Sequence, residues 1–207
     1  MYRYLLFSLF IPLLLLTGCS NQSPSGFTPN QQVLINNADA NTPMRIFKIT
    51  SHSDSLLLRQ KSEAVKVDTN DPRLPLFVDR LYATVRDSLS LGVGIAAPQV
   101  GILKQIIWVQ RFDKTEEAFP FEVYLNPKII TYSEEKREGR EGCLSIPNRS
   151  EQCLRSQWIV IEYDKMDGTH HQERVEDFTA VIFQHEIDHL NGILYLEHLA
   201  EHNGVRP

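Results

Sequence analysis

The nine residues QHEIDHLNG, at positions 184–192, restrict what this chain can fold into more than any other segment. His185 and His189 are four residues apart, and on a helix such residues lie on the same face, one turn from each other. The Asn-Gly pair that follows suits the left-handed conformation that ends many helices. The segment therefore predicts a helix over roughly Asp177–Leu190 that can direct two imidazoles at one metal ion.

A glutamate, Glu186, directly follows the first histidine. A divalent ion lowers the pKa of bound water, and a neighbouring carboxylate can accept the released proton and later donate it to a leaving group. This is the chemistry of the H-E-x-x-H pattern in metal hydrolases. The pattern predicts a hydrolytic site, and its structural alternative is a helix that carries two solvated histidines.

Two histidines need a third protein ligand to hold an ion tightly. Thermolysin-like enzymes use a downstream glutamate and metzincins use a third histidine, but Glu197 and Glu201 lie beyond the predicted end of the helix. The segment EGCLSIP offers Cys143 instead, whose thiolate is a strong ligand for a borderline-soft divalent metal. We therefore expect a Cys-His-His site with water in the fourth position.

Three segments together resemble the signature motifs of the peptide deformylase family, in the same order and at similar spacing. They are GVGIAAPQ at Gly92–Gln99, EGCLS at Glu141–Ser145 and QHEIDH at Gln184–His189. The similarity extends over roughly residues 44–199, because the segment that starts at Arg45 resembles the opening of the family. Three motifs in one order are far more specific than any one of them.

The resemblance implies a metal-dependent hydrolase that removes the N-formyl group from formyl-methionyl peptides and releases formate and a free amino terminus. It implies Cys143, His185 and His189 as the metal ligands and Glu186 as the general acid and base. In the family the single divalent ion is usually Fe(II), and zinc or nickel can replace it.

The resemblance also implies the residues that contact the substrate. The side-chain amide of Gln99 and the backbone N–H of Leu144 would donate to the oxyanion that forms on the formyl group. Gly92 and Gly94 lack side chains, so a peptide can pair edge-on with the backbone there. The apolar positions that line the methionine pocket in the family are here Val93, Val181 and Ile182.

The rest of the chain predicts an α+β domain. Its 207 residues, with 42% hydrophobic content and a net charge of -5, suffice for one core and show no basic excess that would indicate nucleic acid. An apolar stripe at helical spacing covers 71–90, and β-branched runs cover 105–110, 123–130 and 158–164, with an Asp-Gly turn and a return strand after the last. We expect mixed or antiparallel strands around a central C-terminal helix that carries the H-E-x-x-H motif.

Residues 1–19 have the order of an export signal: one cation at Arg3, an apolar run over Leu5–Leu16 and small residues before Cys19. The run is short for a permanent transmembrane helix. LTGC resembles the lipobox of bacterial lipoproteins, which implies a lipid on Cys19 and a membrane as partner; the alternative is a plain signal peptide or an uncleaved anchor. Ser20 is not the aspartate associated with retention, which favours the outer membrane, facing the periplasm, over the inner membrane.

Residues 20–43 are rich in Asn, Gln, Ser and Pro and contain one short apolar cluster, 33–35. Such a composition buries little surface against its ordering entropy, so it predicts a flexible tether. Residues 44–207 would then form the catalytic domain.

An exported position raises alternatives to the enzyme. The same fold could bind N-formyl peptides or metal at the envelope without turnover, whereas a metalloprotease is disfavoured by the cysteine ligand and the glycine motif. In an oxidising compartment, loss of the metal could also let Cys143 pair with Cys153. Nothing in the sequence indicates an oligomeric state.

The remaining polar candidates have simpler explanations. Arg149 either contacts the substrate or lies in solvent on a loop. The histidines outside the motif are expected on the surface; they are His170, His171, His198 and His202.

Overall fold

The computed structural model describes residues 25–88 and 91–202 and has the predicted α+β architecture. The helices are α1 (Pro29–Asn36), α2 (His52–Leu58), α3 (Arg73–Arg86), α4 (Asp177–Leu190) and α5 (Tyr195–His202). The strands are β1 (Gly94–Ala96), β2 (Ile106–Gln110), β3 (Phe121–Tyr132), β4 (Lys136–Cys143), β5 (Ile146–Ser156), β6 (Trp158–Asp164) and β7 (His170–Glu176).

The strands form two antiparallel sheets. Five of them pair in the order β1-β2-β3-β6-β7, and β4 and β5 form a separate two-stranded hairpin. In β6 the alternating residues Ile159, Ile161 and Tyr163 are buried against α4, as expected of a strand with one covered face. The five-stranded sheet therefore supports one side of α4, and the hairpin contacts another.

Helix α4 has the predicted bounds and the predicted central position. Ile182, Phe183 and Ile187 belong to the buried cluster between this helix and the sheet. The helix ends before Gly192, which has a φ of 73°. A side chain at Gly192 would place its Cβ 2.4 Å from the carbonyl oxygen of Arg59, so both the backbone conformation and the close approach require glycine.

The hairpin β4–β5 was not predicted from the sequence, because its buried positions include charged residues beside the apolar Ile146 and Cys153. Glu141 and Arg155 are 6% and 5% exposed, and Gly139 contributes no side chain. Antiparallel pairing sets Gly139 opposite Cys153 and Glu141 opposite Glu151. The hairpin places the end of β4 beside the last turns of α4.

The segment that precedes the predicted domain is folded over residues 25–43, so the flexible tether is wrong for this range. Phe27 and Ile35 are fully buried, and the Phe27 ring packs edge-on against Phe77 of α3 at a centroid distance of 5.9 Å. Full burial of such a side chain stabilises the folded state by about 1.5–3 kcal/mol. This offsets the ordering entropy that, judged from composition alone, would keep the segment unfolded. Residues 1–24, including the expected signal and Cys19, lie outside the described residues.

One buried cation holds this N-terminal arm, residues 25–43, to α3. Arg80 is 3% exposed and donates from Nη1 to the carbonyl oxygens of Leu34 and Ile35 at 2.8 and 3.0 Å and to Asn37 Oδ1 at 2.7 Å. Its Nε donates to the carbonyl oxygen of Thr42 at 3.1 Å. Arg80 thereby satisfies the last carbonyls of α1, at the end of the helix that carries partial negative charge.

Among residues 25–88 and 91–202, no helix combines the length and apolarity needed to cross a membrane.

Replacement of Arg80 by alanine should release the N-terminal arm. The change removes the donor from four acceptors, and we expect a loss of about 2–4 kcal/mol in the free energy of unfolding, measured by urea denaturation. Limited proteolysis should cut within residues 25–43 faster than in the parent protein. Arg86→Ala, at an exposed position of the same helix, is the control. Equal cleavage rates in the two variants would show that Arg80 does not hold the arm.

Candidate metal centre

Three predicted ligands meet between β4 and α4. Cys143 ends β4, His185 and His189 lie one turn apart on α4, and the ligand atoms of all three are within 4.8 Å of one another. The Cys143 Sγ is 3.2 Å from His189 Nε2. The structure thus brings the predicted Cys-His-His set together on the inner side of the hairpin.

The electrostatics of these residues fit a divalent ion. Burial alone would raise the pKa of the Cys143 thiol, but the charge of His189 and hydrogen bonds with His185 and His189 hold that pKa well below its usual value. Burial would lower the pKa of His185, and its bonds to Cys143 and Glu141 raise it well above its usual value instead. A thiolate beside a protonated imidazole is a site in which a metal cation can take the place of the proton.

Glu141 fixes the orientation of the first histidine. His185 Nδ1 donates to Glu141 Oε2 at 2.8 Å, which leaves Nε2 to face the centre. Arg155 donates to both carboxylate oxygens of Glu141, at 2.7 and 3.0 Å. Burial opposes ionisation of Glu141, but the bonds from His185 and Arg155 lower its pKa to about 2. Glu141 is therefore a fixed anion.

Sequence reasoning missed the part played by Arg155. Its guanidinium also donates to Asp188 Oδ2 at 2.6 Å, so it ties the hairpin to α4. His198 lies 2.7 Å from the same Asp188 oxygen and is half-buried, so its predicted surface position is wrong. His170 is exposed as expected, and the side chain of His202 is outside the described residues. Once the hairpin is known, period-two alternation with Cys153 places Arg155 on the inner face.

Glu186 is buried beside the ligands without a fixed role in the fold. It is 4% exposed, and its Oε2 has no hydrogen-bond partner in the described part of the chain. Burial raises the pKa of Glu186 to about 7, against the attraction of His185 and His189. A Cβ at Gly94 would lie 2.5 Å from Glu186 Oε1, so glycine is required there to make room for the carboxylate. A carboxylate with this pKa can both take and return a proton near neutral pH.

Gln99 is held in one orientation beside the same centre. Its Oε1 accepts from the backbone N–H of Ala96 at 2.8 Å, which turns Nε2 toward Ser145 Oγ at 3.3 Å and Cys143 Sγ at 3.6 Å. Leu144 lies in the turn between β4 and β5. Both residues predicted to donate to an oxyanion thus flank the cysteine.

A cavity of about 350 Å³ opens onto these groups. All five residues predicted to contact the substrate line it, which are Gly92, Val93, Gly94, Val181 and Ile182. Gln99, Cys143, Leu144, His185 and Glu186 line it as well. Sequence reasoning missed Leu91, Arg140 and Phe178 at its edge. His189 is 1% exposed and lies behind the cavity wall.

The second cysteine is not placed to compete for the first. Both thiols are free, and the strand register sets Cys153 opposite Gly139, four residues along β4 from Cys143. Four strand residues span roughly 13 Å, whereas the Cα atoms of a disulfide lie within about 7 Å. Closure of the hypothesised disulfide would therefore require the hairpin to open.

Arg149 adopts the solvent alternative that the sequence left open. It is exposed and donates to Glu151 Oε1 at 2.8 Å. It is not among the residues that line the cavity.

A thiolate and two imidazoles beside a buried carboxylate, opening onto an apolar cleft, define the class of metal-dependent hydrolases. The family described as polypeptide deformylase matches residues 46–204. The chain belongs to the peptide deformylase family. The predicted family and enzyme class are thereby confirmed, as is the use of a single divalent metal, while the alternative of a non-catalytic binder finds no support.

Individual relatives agree with this assignment. A peptide deformylase of Finegoldia magna is 34% identical over 154 residues, which cover 74% of this chain and 90% of the relative. A solved class I type b peptide deformylase from Acinetobacter baumannii, with Met-Ala-Ser bound, has a TM-score of 0.67 at 33% identity and covers 76% of this chain and 99% of that one. The peptide deformylase from Thermotoga maritima has a TM-score of 0.65 at 31% identity, and the match covers 75% of this chain and 97% of that one.

Neutralising Glu141 should weaken metal binding. Glu141→Gln removes the anionic acceptor that orients His185, and loss of such a partner typically costs 10- to 100-fold in metal affinity. Competition with a chromophoric chelator measures the affinity for zinc. Glu151→Gln, at the cross-strand position and partly exposed, is the matched control and should change affinity less than about twofold. Equal affinities for both variants would refute the role of Glu141.

The pKa of Glu186 predicts how the stability of the metal-free protein depends on pH. A carboxyl whose pKa is raised from 4.5 to about 7 by folding stabilises the fold at low pH, and this contribution is lost as pH rises through 7. Between pH 5.5 and 8 the loss amounts to about 2 kcal/mol. Glu186→Gln should lack this component when the unfolding free energies of the two proteins, stripped of metal, are compared at both pH values. The same pH dependence in both would contradict the burial argument.

Proposed function

We propose that this chain hydrolyses the N-formyl group of formyl-methionyl peptides, releasing formate and a free amino terminus. One observation carries the proposal: Cys143, His185, His189 and Glu186 converge beside a cavity that is otherwise lined largely by apolar residues and glycines. The relative from Acinetobacter baumannii was solved with Met-Ala-Ser, a peptide that begins with methionine. A cleft of this size and polarity suits a methionine side chain beside a reactive amide.

Cys143, His185 and His189 would hold one divalent ion. The resident ion that we propose is Fe(II), with zinc or nickel able to replace it, since one thiolate and two imidazoles suit all three. When bound, the ion supplies Lewis acidity that polarises the formyl carbonyl and lowers the pKa of water.

Glu186 moves the proton. Its carboxylate accepts a proton from the water that adds to the formyl carbon, and it donates that proton to the amide nitrogen as the C–N bond breaks. A pKa of about 7 makes both transfers accessible near neutral pH. The unpaired Oε2 leaves this carboxylate free to face the reacting groups.

Gln99 and Leu144 would stabilise the developing oxyanion. The bond from Ala96 preorganises the Gln99 amide, so its N–H needs no reorientation during the reaction. Gly92 and Gly94 would pair with the peptide backbone. The methionine side chain would contact Val93, Val181 and Ile182.

We further propose that the enzyme is exported and anchored by a lipid on Cys19. The support is the charged, apolar and small-residue order of residues 1–19, and the serine after the cysteine favours the outer membrane, facing the periplasm, over the inner membrane. Because the N-terminal arm is folded onto α3, only residues 20–24 separate Cys19 from the body. That length spans about 20 Å at most, so the anchored enzyme would lie close to the membrane surface.

Formate release tests the enzymatic proposal. Protein loaded anaerobically with Fe(II), or with nickel, should release formate from formyl-Met-Ala-Ser, and Glu186→Ala should lower kcat by about 10²- to 10⁴-fold because the proton carrier is lost. Glu151→Ala, at a residue that does not line the cavity, should retain parental kcat. The proposal fails if the parent releases no formate, or if Glu186→Ala turns over at the parental rate.

Labelling in cells tests the anchor. Radiolabelled palmitate should enter the parent protein, and Cys19→Ala should abolish both incorporation and recovery with outer membranes. A Cys153→Ala protein controls for loss of an unrelated cysteine and should label normally. Equal fractionation of the Cys19→Ala and parent proteins would exclude the lipid anchor.

A further inference from the structure

A second cavity, of about 230 Å³, adjoins the catalytic one. The two cavities share Arg140, Phe178 and Val181 as lining residues. The second one lies beneath the hairpin β4–β5, between its inner face and the first turns of α4. It therefore continues the apolar side of the catalytic cavity, away from the metal ligands.

Gly139 is the reason that this space is open. It lies on the same face of β4 as Glu141, two residues away, and that face is turned toward α4. A Cβ built at Gly139 would meet no atom within 4 Å, and the backbone there has no positive φ that would demand glycine. This contrasts with Gly94, where a Cβ would collide with Glu186. The absence of a side chain at Gly139 therefore leaves open volume, and the backbone conformation there does not require glycine.

The inner end of the second cavity presents no unpaired charge. Cys153, opposite Gly139, is 2% exposed, and burial raises the pKa of its thiol to about 11, so the thiol is neutral. Phe178 and Val181 supply the apolar wall on the α4 side. Arg155 also borders the space, but Glu141 and Asp188 already bind its guanidinium. A thiol, an aromatic ring and an aliphatic side chain suit an unbranched apolar or thioether chain.

The open side of the second cavity is polar. Arg137, Glu138 and Arg140 border it, and each of the three is exposed. Arg140 donates to Ser150 Oγ at 2.8 Å, which holds its guanidinium on the outer face of the hairpin. A chain that enters from the catalytic cavity would thus pass Phe178 and Val181, reach the thiol of Cys153 and leave these charges in solvent.

We infer that the two cavities form one side-chain pocket, so that the enzyme accepts formyl substrates whose first side chain is unbranched, apolar and longer than methionine. Gly139 determines this specificity. The inference rests on the proposed deformylase activity and adds to it the length of the side chain that the site accepts. Each methylene that enters the second cavity leaves water, which raises kcat/KM about 2- to 4-fold until the space is filled.

A substrate series tests the inference. The series consists of formyl-X-Ala-Ser peptides that differ only in residue X. X is methionine, norleucine or a straight-chain homologue whose side chain is one, two or four methylenes longer than that of norleucine. Formate release by the metal-loaded, full-length protein gives kcat/KM for each peptide. In the parent, kcat/KM should rise about 2- to 4-fold for each of the first two added methylenes.

Gly139→Val should fill the opening with a branched side chain. We expect kcat/KM for the two longest homologues to fall at least 10-fold, with the value for norleucine within twofold of the parent. Gln152→Val adds the same side chain at an exposed position on the neighbouring strand and should reproduce the parental length profile. Gly139→Ala adds a single methyl group, should give an intermediate profile, and replaces Gly139→Val if the valine protein does not fold.

The outcomes separate the inference from the activity on which it rests. A parental kcat/KM that does not rise with the first added methylene would overturn the pocket. Long-chain values that no Gly139 variant changes would also overturn it. Methionine hydrolysis would be intact in both cases. Failure of the metal-loaded parent to hydrolyse any member of the series, including methionine, would overturn the proposed function and the pocket together.

Discussion

The geometry of the metal centre depends on how the hairpin β4–β5 meets α4, and two buried ion pairs of Arg155 constrain that contact. Arg155 from the hairpin is 5% exposed and binds Glu141 of the same hairpin and Asp188 of α4. Burying these charges is costly, so the native arrangement has to satisfy each of them at once. That requirement allows very few positions of the hairpin on the helix. Cys143, two residues beyond Glu141, is thereby brought to the two histidines.

The same contact creates two carboxylates with opposite tasks. Glu141 accepts from Arg155 and His185, and its pKa falls to about 2, so it remains an anion that orients a ligand. Glu186, one residue after His185, has an unpaired oxygen in an apolar setting, and its pKa rises to about 7. Environments that separate the pKa values of neighbouring carboxyls suit one to an orienting role and the other to the proton transfer proposed for it. Burial, hydrogen bonding and the neighbouring charges make this distinction, since the two side chains are chemically identical.

The parts of this fold that were predicted are those whose signal is local. Helix α4 was predictable because the four-residue spacing of its histidines and its Asn-Gly end both lie within one segment. Strand β6 was predictable because it is a short run of β-branched and aromatic residues. Cys143 could be proposed as a ligand from donor chemistry. The hairpin β4–β5 could not be predicted, because its inner face carries a glycine and buried charges. The pairing of these charges is visible only in the three-dimensional structure. The open space at Gly139 is likewise invisible in sequence, because it depends on what the opposite strand and α4 leave unfilled.

The composition of the N-terminal arm does not predict that it folds, because its buried side chains pack against the rest of the protein. Residues 25–43 lack enough apolar residues to fold alone, yet Phe27 and Ile35 fill space against α3, and Arg80 satisfies the end of α1. The four acceptors of Arg80 are carbonyl and amide oxygens, none of which titrates. These four contacts of Arg80 therefore do not depend on the protonation of an acceptor, unlike an ion pair. Helix α3 also supports the cleft, because Val85 packs where a Cβ on Gly92 would lie, at 3.0 Å. The arm thus stabilises the helix that backs the glycine segment of the active site, and an anchor attached ahead of it would connect to a rigid part of the enzyme.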